Sequence, residues 1–256
     1  MKIALLTLFS IVPALAQFLT PDWRGNTHSS HAEWDVFTAA RFSPNFPDVV
    51  ADDATIICTT PGAFLTGGGN IYSFQAPTFF QLDDTAEFVI QNVFLQISAM
   101  GSGVDVSGAR LIATNSDGDT VALPPVKTFI SSEEELTGER GGIATTYGIQ
   151  WNLADMPVSG SYSILFNATE SSLSLGGVSL DTSGVFVEIV KPLPLKIEPV
   201  DGEMVITWFG DRQLQSSTSL ESGWVDVPDS AGVNSIVISI AGQATFFRLQ
   251  QITVTE

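Results

Sequence analysis

Two histidines and a nearby carboxylate are the first residues of the chain whose spacing could do chemistry. His28, His31 and Glu33 form a His-x-x-His-x-Glu pattern that contains both histidines of the sequence. Zinc needs three or four ligands held close together. On a strand, residues three apart point to opposite faces, so the pair could share a metal only on a helix or loop. We therefore predict an ordinary surface segment here and no metal site.

A second candidate is a regular series of oxygen side chains. Asn115, Asp117 and Asp119 alternate along the chain, as at the opening of a calcium loop. A complete EF-hand loop needs an acidic residue near position 126, which is a valine. An Asp-Gly turn between two apolar runs predicts a plain β-hairpin. We expect no cofactor, and a weak calcium site on the hairpin remains the open alternative.

The remaining reactive residues do not complete a catalytic pattern. Cys58 lies in an apolar run, which is typical of a small buried side chain rather than a nucleophile. The acidic clusters 52–53, 83–84 and 133–135 are typical of solvated surfaces. The sequence contains no Gly-x-Ser-x-Gly motif, and its histidines offer few bases for a serine triad. We predict that the chain is not an enzyme, and a pair of glycosidase carboxylates remains open.

Composition excludes further classes of function. The 256 residues include 28 acidic and 10 basic side chains, a formal charge of −18 and one cysteine. Nucleic-acid phosphates require clustered Lys and Arg, so we expect no nucleic-acid partner. One cysteine excludes an intrachain disulfide and a multi-cysteine metal cluster. Hydrophobic residues make up 44% of the chain, enough for one large domain or two small ones.

The first 16 residues have the pattern of a secretory signal peptide. Lys2 precedes a short apolar run, Pro13 breaks it, and residues 14–16 read Ala-Leu-Ala, a cleavage motif. The run is shorter than the roughly 20 residues of a spanning helix. We expect a mature chain without a membrane span, secreted or at the cell surface of a bacterium.

The following residues predict an all-β protein. Alternating and β-branched runs recur between glycine-rich turns, and long apolar stripes at helical spacing are absent. The strand-like runs of the larger part are 70–75, 88–90, 93–98, 110–114, 120–123, 148–153, 161–167, 172–180 and 185–190. The best helix candidates are Ser30–Arg41 and Ser131–Leu136. This pattern predicts a jelly-roll-like β-sandwich over residues 17–190.

A proline-rich stretch, residues 191–195, has the composition of a stiff linker. The 61 residues that follow it, 196–256, contain about six short strand-like runs, which predict a small Ig-like sandwich. Its expected core aromatic residues are Trp208, Trp224, Phe246 and Phe247.

Both parts resemble known groups of proteins. The motifs of the smaller part are Trp208, Leu214–Leu220, Trp224–Pro228 and Phe246–Leu249. They resemble a C-terminal module of secreted bacterial proteins, a reduced fibronectin type III or Ig domain, which implies no chemistry. The motifs of the larger part are Trp23–Gly25, Glu33–Phe37, Phe46–Val50, Tyr147–Leu153, Tyr162–Phe166 and Ser172–Asp181. They are similar to secreted bacterial proteins of the PEP-CTERM-associated type, here without the sorting tail, and loosely to galactose-binding jelly rolls.

We therefore expect a non-catalytic extracellular binding or structural protein at the cell surface or in a matrix. The alternative is a carbohydrate-binding sandwich, with or without calcium, and the third is a polysaccharide-acting enzyme. The expected partners are extracellular polysaccharide or cell-surface proteins. Trp23 lies in a polar loop and is the expected exposed aromatic residue, whereas Trp34 and Trp151 are expected in the core. Exposed aromatic residues beside a groove would favour sugar binding, and two facing carboxylates in a cleft would favour an enzyme.

Overall fold

The structure is a computed structural model that describes residues 18–49, 53–74, 77–115, 118–136, 142–191, 195–200, 203–208, 212–220, 222–231, 233, 235–238 and 245–251. The predicted signal peptide, 1–16, lies outside these residues, as does most of the predicted linker. The chain divides into two compact units between Val190 and Lys191.

Every regular element among the described residues is a β-strand, which confirms the all-β prediction. The strands of the larger unit are β1 (Ser29–Trp34), β2 (Thr55–Cys58), β3 (Phe64–Leu65), β4 (Ile71–Tyr72), β5 (Phe79–Thr85), β6 (Asn92–Gly101), β7 (Arg110–Thr114), β8 (Thr120–Leu123), β9 (Lys127–Leu136), β10 (Gly142–Asn152), β11 (Ser161–Asn167) and β12 (Leu173–Ser183). Those of the smaller unit are β13 (Lys196–Val200), β14 (Glu203–Thr207), β15 (Arg212–Ser217), β16 (Val225–Asp226), β17 (Ser235–Ile238) and β18 (Phe246–Gln251).

The larger unit is a sandwich of two antiparallel sheets. Seven strands form one sheet in the order β3-β4-β12-β6-β10-β9, with β1 also pairing β12. Five strands form the other, in the order β2-β5-β11-β7-β8. One apolar cluster, which includes the fully buried Trp34 and Trp151, fills the space between them, so the prediction of these two tryptophans as core is confirmed.

Alternation along the central strand β6 explains how the seven-stranded sheet uses its two faces. Val93, Leu95 and Ile97 point into the core cluster. The residues between them therefore point to the opposite side, which we call the outer face. Gln96 and Ser98 are on that face and are nevertheless buried, because other parts of the unit cover it or wall it in.

Both helix candidates are wrong. Residues 29–34 form β1, which pairs with β12 from Ser29 opposite Ser183 to Trp34 opposite Val178. Residues 131–136 belong to β9, an edge strand that pairs with β10 and with no other strand among the described residues. Strand pairing and burial of Ala32 and Trp34 outweigh the weak local preferences that favoured helices.

The smaller unit contains two three-stranded sheets, β13-β14-β17 and β16-β15-β18. Its core cluster is built on the buried Ile206, Trp208 and Leu214. Trp224 is only half-buried, and the Arg248 guanidinium lies over its ring at 4.4 Å from the centroid. This cation–π contact covers a tryptophan that was expected in the core.

Candidate functional site

The outer face of the seven-stranded sheet has a covered half and an open half. The N-terminal segment, residues 18–24, crosses one half. There Gln96 accepts a hydrogen bond from the Leu19 amide at 2.7 Å and donates one to the Leu19 carbonyl at 2.9 Å. Trp23 packs against Phe94 and is only 6% exposed. The prediction that Trp23 is an exposed aromatic residue is therefore wrong.

A second segment covers the same half from the other end of the unit. Gln150 donates hydrogen bonds to Asn92 Oδ1 and the Val187 carbonyl, and it accepts one from the Ile189 amide. Ile189 completes the small apolar cluster with Trp23. The buried Gln150 amide thus fixes this segment, since each of its bonds replaces one lost to water.

Arg24 anchors the N-terminal segment through a buried charge. Its guanidinium donates two hydrogen bonds to the Asp181 carboxylate, at 2.7 and 2.8 Å, and the Asp181 side chain is fully buried. His31 lies 3.3 Å from the same carboxylate and 3.1 Å from Glu33. Burial raises the pKa of Glu33, against the opposing effect of His31.

The His-x-x-His-x-Glu pattern is divided by the structure. His31 and Glu33 join the Arg24 and Asp181 network and are largely buried, where the sequence predicted a surface segment. His28 has a left-handed backbone with φ 58° and packs against the ring of Phe88. Within the described part of the chain, no group of three or more metal-ligating side chains is placed to hold an ion.

The open half of the outer face is a groove of about 550 Å³, which we call the open groove. Ser98 and Thr146, on neighbouring strands and directly opposite each other, form its floor. Their residues are 7% and 3% exposed, and neither hydroxyl has a hydrogen-bond partner among the described residues. The two oxygens are not among the described buried polar atoms that lack partners, so both hydroxyls open into the groove, where a bound molecule can reach them.

Carboxylates stand at two sides of the open groove. Asp35 follows β1 on one side, and Glu133 and Glu134 belong to β9 on the other. The three glutamates 133–135 are exposed, as predicted. Burial, and next the nearby Asp48 carboxylate, raise the pKa of Asp35. Among the described residues that line the groove, none is basic.

Three aromatic rings extend the same face to the sheet edge. Tyr72 lies 5.5 Å from Phe64 and 4.6 Å from Phe74 between ring centroids, and the two phenylalanine rings are 5.5 Å apart. Phe74 is 69% exposed. We call Phe64, Tyr72 and Phe74 the aromatic cluster.

The strand register places the aromatic cluster and the open groove in one row. The row runs across six strands, each residue opposite the next: Phe64, Tyr72, Ser174, Met100, Ala144 and Glu134. Opposed residues share a face, so the aromatic rings lie at one end of the row and a carboxylate at the other. At usual strand spacing the row is about 24 Å long.

The predicted calcium series lies elsewhere, on the expected β7–β8 hairpin. Asn115 Oδ1 accepts a hydrogen bond from the Asp119 amide at 2.8 Å, so this oxygen is used to close the turn. Asp117 lies outside the described residues.

Two other sequence candidates have structural surroundings. Asp83 and Asp84 line a shallow pocket of about 400 Å³ by the five-stranded sheet, where Asp83 accepts hydrogen bonds from Gln81 and Ser163. Cys58 is fully buried, and burial raises the pKa of its thiol. The thiol therefore stays protonated and shielded, as the sequence predicted.

Comparisons with known proteins identify no family. No family model matches the chain, and no curated protein sequence matches it. Among the solved structures that match, a beta-1,2-glucanase from Parabacteroides distasonis aligns with 87% of this chain at 8% identity and a TM-score of 0.27. The aligned region spans 33% of that protein's length, and a likeness this low supports no functional conclusion.

No helix in the described part of the chain is long and apolar enough to cross a membrane.

Proposed function

We propose that this chain is a secreted, non-catalytic binding protein and that its larger unit binds carbohydrate in the open groove. The observation that carries the proposal is the pair of hydroxyls of Ser98 and Thr146 on the groove floor, which open into the groove and have no partner among the described residues. A ligand rich in hydroxyl groups supplies the hydrogen bonds that this pair lacks.

The aromatic cluster supports the same ligand class. A sugar ring has polar edges and an apolar C–H face, and exposed aromatic side chains pack against such a face while their surroundings stay wet. Phe64 and Tyr72 stand in the same cross-strand row as the groove, and Phe74 packs against both rings. Stacking at one end and hydrogen bonding along the row suit an extended oligosaccharide.

The placement of the carboxylates supports binding rather than hydrolysis. Asp35 and Glu134 follow or belong to strands separated by four steps in the sheet, about 19 Å at usual spacing. Glycosidase carboxylates stand roughly 5–9.5 Å apart. Asp48, the acidic neighbour of Asp35, accepts hydrogen bonds from the Asp35 and Val36 amides, so its oxygens hold a loop.

The signal-peptide pattern of residues 1–16 and the resemblance to secreted bacterial proteins support a location outside the cytoplasm. The smaller unit resembles a fibronectin type III or Ig module. We propose that it is an auxiliary, non-catalytic module that accompanies the binding unit in the chain.

The proposal is tested by a glycan-array screen of the mature chain, followed by titration calorimetry with the best ligand. We expect the double variant Ser98→Ala/Thr146→Val to bind that ligand about tenfold or more weakly, because two hydrogen bonds are lost. Its free energy of unfolding should stay within about 0.5 kcal/mol of the wild type or rise, since neither hydroxyl is bonded within the protein.

The aromatic cluster has its own matched pair of variants. Phe74→Ala should weaken glycan binding, whereas Phe79→Ala, at a 49% exposed phenylalanine of the five-stranded sheet, should leave it unchanged. A protein that binds no glycan on the array, or hydroxyl variants that bind as well as the wild type, would refute the open groove as a carbohydrate site.

A further inference from the structure

We propose that the open groove selects glycans that carry protonated amino groups, so that its ligand is an amino-sugar polymer and not a neutral or acidic polysaccharide. This inference rests on the proposed carbohydrate function and adds the chemical class of the ligand. It starts from the combination of a polar floor that lacks partners with sides that carry only negative charge.

The floor identifies the groove as a place for a ligand. Ser98 and Thr146 are each more than nine-tenths buried, point to the outer face and line the groove, and their hydroxyls have no partner among the described residues. Strand pairing holds them opposite each other, so the two hydroxyls open side by side into the groove. A bound molecule with closely spaced donors and acceptors would satisfy both.

The sides define the charge of that molecule. Asp35 is half-buried and its carboxylate has no hydrogen-bond partner among the described residues. Glu134 lines the opposite side, on the same face as Ala144 and Met100. An ammonium group of the ligand would pair with these carboxylates and offset the cost of placing negative charge in a groove. A uronate would meet like charges on both sides and be repelled.

The surroundings favour the same ligand. The sequence carries a formal charge of −18, which attracts cationic polymers over long distances and repels acidic ones. The aromatic cluster at the end of the row can also accept an ammonium group over a ring face, an interaction that a neutral sugar does not offer. Net charge alone attracts any polycation to any part of the surface, so a specific site must be separated from general attraction by experiment.

The experiment uses the mature full-length chain and two ligands that differ only in acetylation: a glucosamine oligomer and the same oligomer after complete N-acetylation. Titrations are carried out at about 0.15 M salt, below the pKa of the amines. We expect the free-amine oligomer to bind at least about tenfold more tightly. The double variant Asp35→Asn/Glu134→Gln should reduce this preference to less than about threefold.

A charge-matched control separates the groove from the surface. Glu135→Gln/Asp155→Asn removes the same number of charges at two exposed residues that do not line the groove, and it should keep the preference. Equal losses in both double variants would overturn the inference in favour of general attraction. Oligolysine of the same charge is the third ligand. If oligolysine binds as tightly as the free-amine oligomer and loses as much affinity in Asp35→Asn/Glu134→Gln, the groove is a site for basic peptides and the inference is wrong.

The two proposals fail in different ways. If the acetylated oligomer binds as tightly as the free amine, the amino-sugar inference is wrong and the carbohydrate proposal stands. If the array and both oligomers give no binding, the carbohydrate proposal itself is wrong. Thermal unfolding of each variant verifies that the fold is retained, and Glu134→Gln alone, at an exposed residue, repeats the test without touching Asp35.

Discussion

Replacing Arg24 by methionine should lower the free energy of unfolding of the chain by about 3–5 kcal/mol. The substitution leaves the fully buried Asp181 carboxylate without the two hydrogen bonds that Arg24 donates, and only His31 remains beside it. A buried charge that loses its partner costs far more than a surface pair contributes. The measurement is urea unfolding of the mature chain followed by tryptophan fluorescence.

Two controls separate the buried charge from the loss of a long side chain. Lys127→Met removes the cation of an exposed ion pair with Glu188 and should cost less than about 1 kcal/mol. Arg24→Met/Asp181→Leu removes both buried charges and should recover most of the loss. Similar losses for Arg24→Met and Lys127→Met would contradict the account of how the N-terminal segment is anchored.

Some strands of the larger unit could be predicted because local pattern and final environment agree, whereas the predicted run 185–190 forms no strand and β5 was not predicted. The run 161–167 alternates between buried and exposed side chains, and the structure has a strand with those bounds. The Asp-Gly turn predicted the β7–β8 hairpin for the same reason, since turn chemistry and strand pairing act within a few residues. The helix predicted over Ser30–Arg41 is wrong because the spacing of its apolar residues fits two periods, and pairing with a strand about 150 residues away decides between them.

The open groove and its cover could not be predicted because they depend on distant pairings. Trp23 lies in a polar segment that gives no local sign of burial, and the ion pair that fixes it joins Arg24 to Asp181. Ser98 sits at a position that local pattern assigns to the outside of a strand, which normally means solvent. Thr146 lies opposite Ser98, and carboxylates lie at the sides of the groove. Both facts depend on the order of strands in the sheet, which the sequence does not give locally. The aromatic cluster left a weak signal, because Phe64 and Tyr72 flank the glycine-rich turn 67–69.

The second large loss of stability is expected on substitution of Gly101, the last residue of β6. Gly101 has φ +84°, and a Cβ added there would lie 2.0 Å from the Ser172 carbonyl oxygen. That oxygen also accepts a hydrogen bond from the Ser102 amide, and Ser172 itself has φ 70°. The obstacle is backbone and cannot rotate away, unlike the end of a side chain. We expect Gly101→Ala to cost about 2–5 kcal/mol, combining left-handed strain with overpacking.

Gly25 provides the matched control for Gly101, because it has the same φ of +84° and no atom within 4 Å of an added Cβ. Gly25→Ala therefore carries the backbone strain alone and should cost about 1–2 kcal/mol. The difference between the two variants, measured by the same urea unfolding, gives the steric part at the β6–β12 contact. Equal costs would mean that the Ser172 segment moves freely. The close approach of Gly101 and Ser172 would then contribute nothing to holding β6, and with it Ser98, in place.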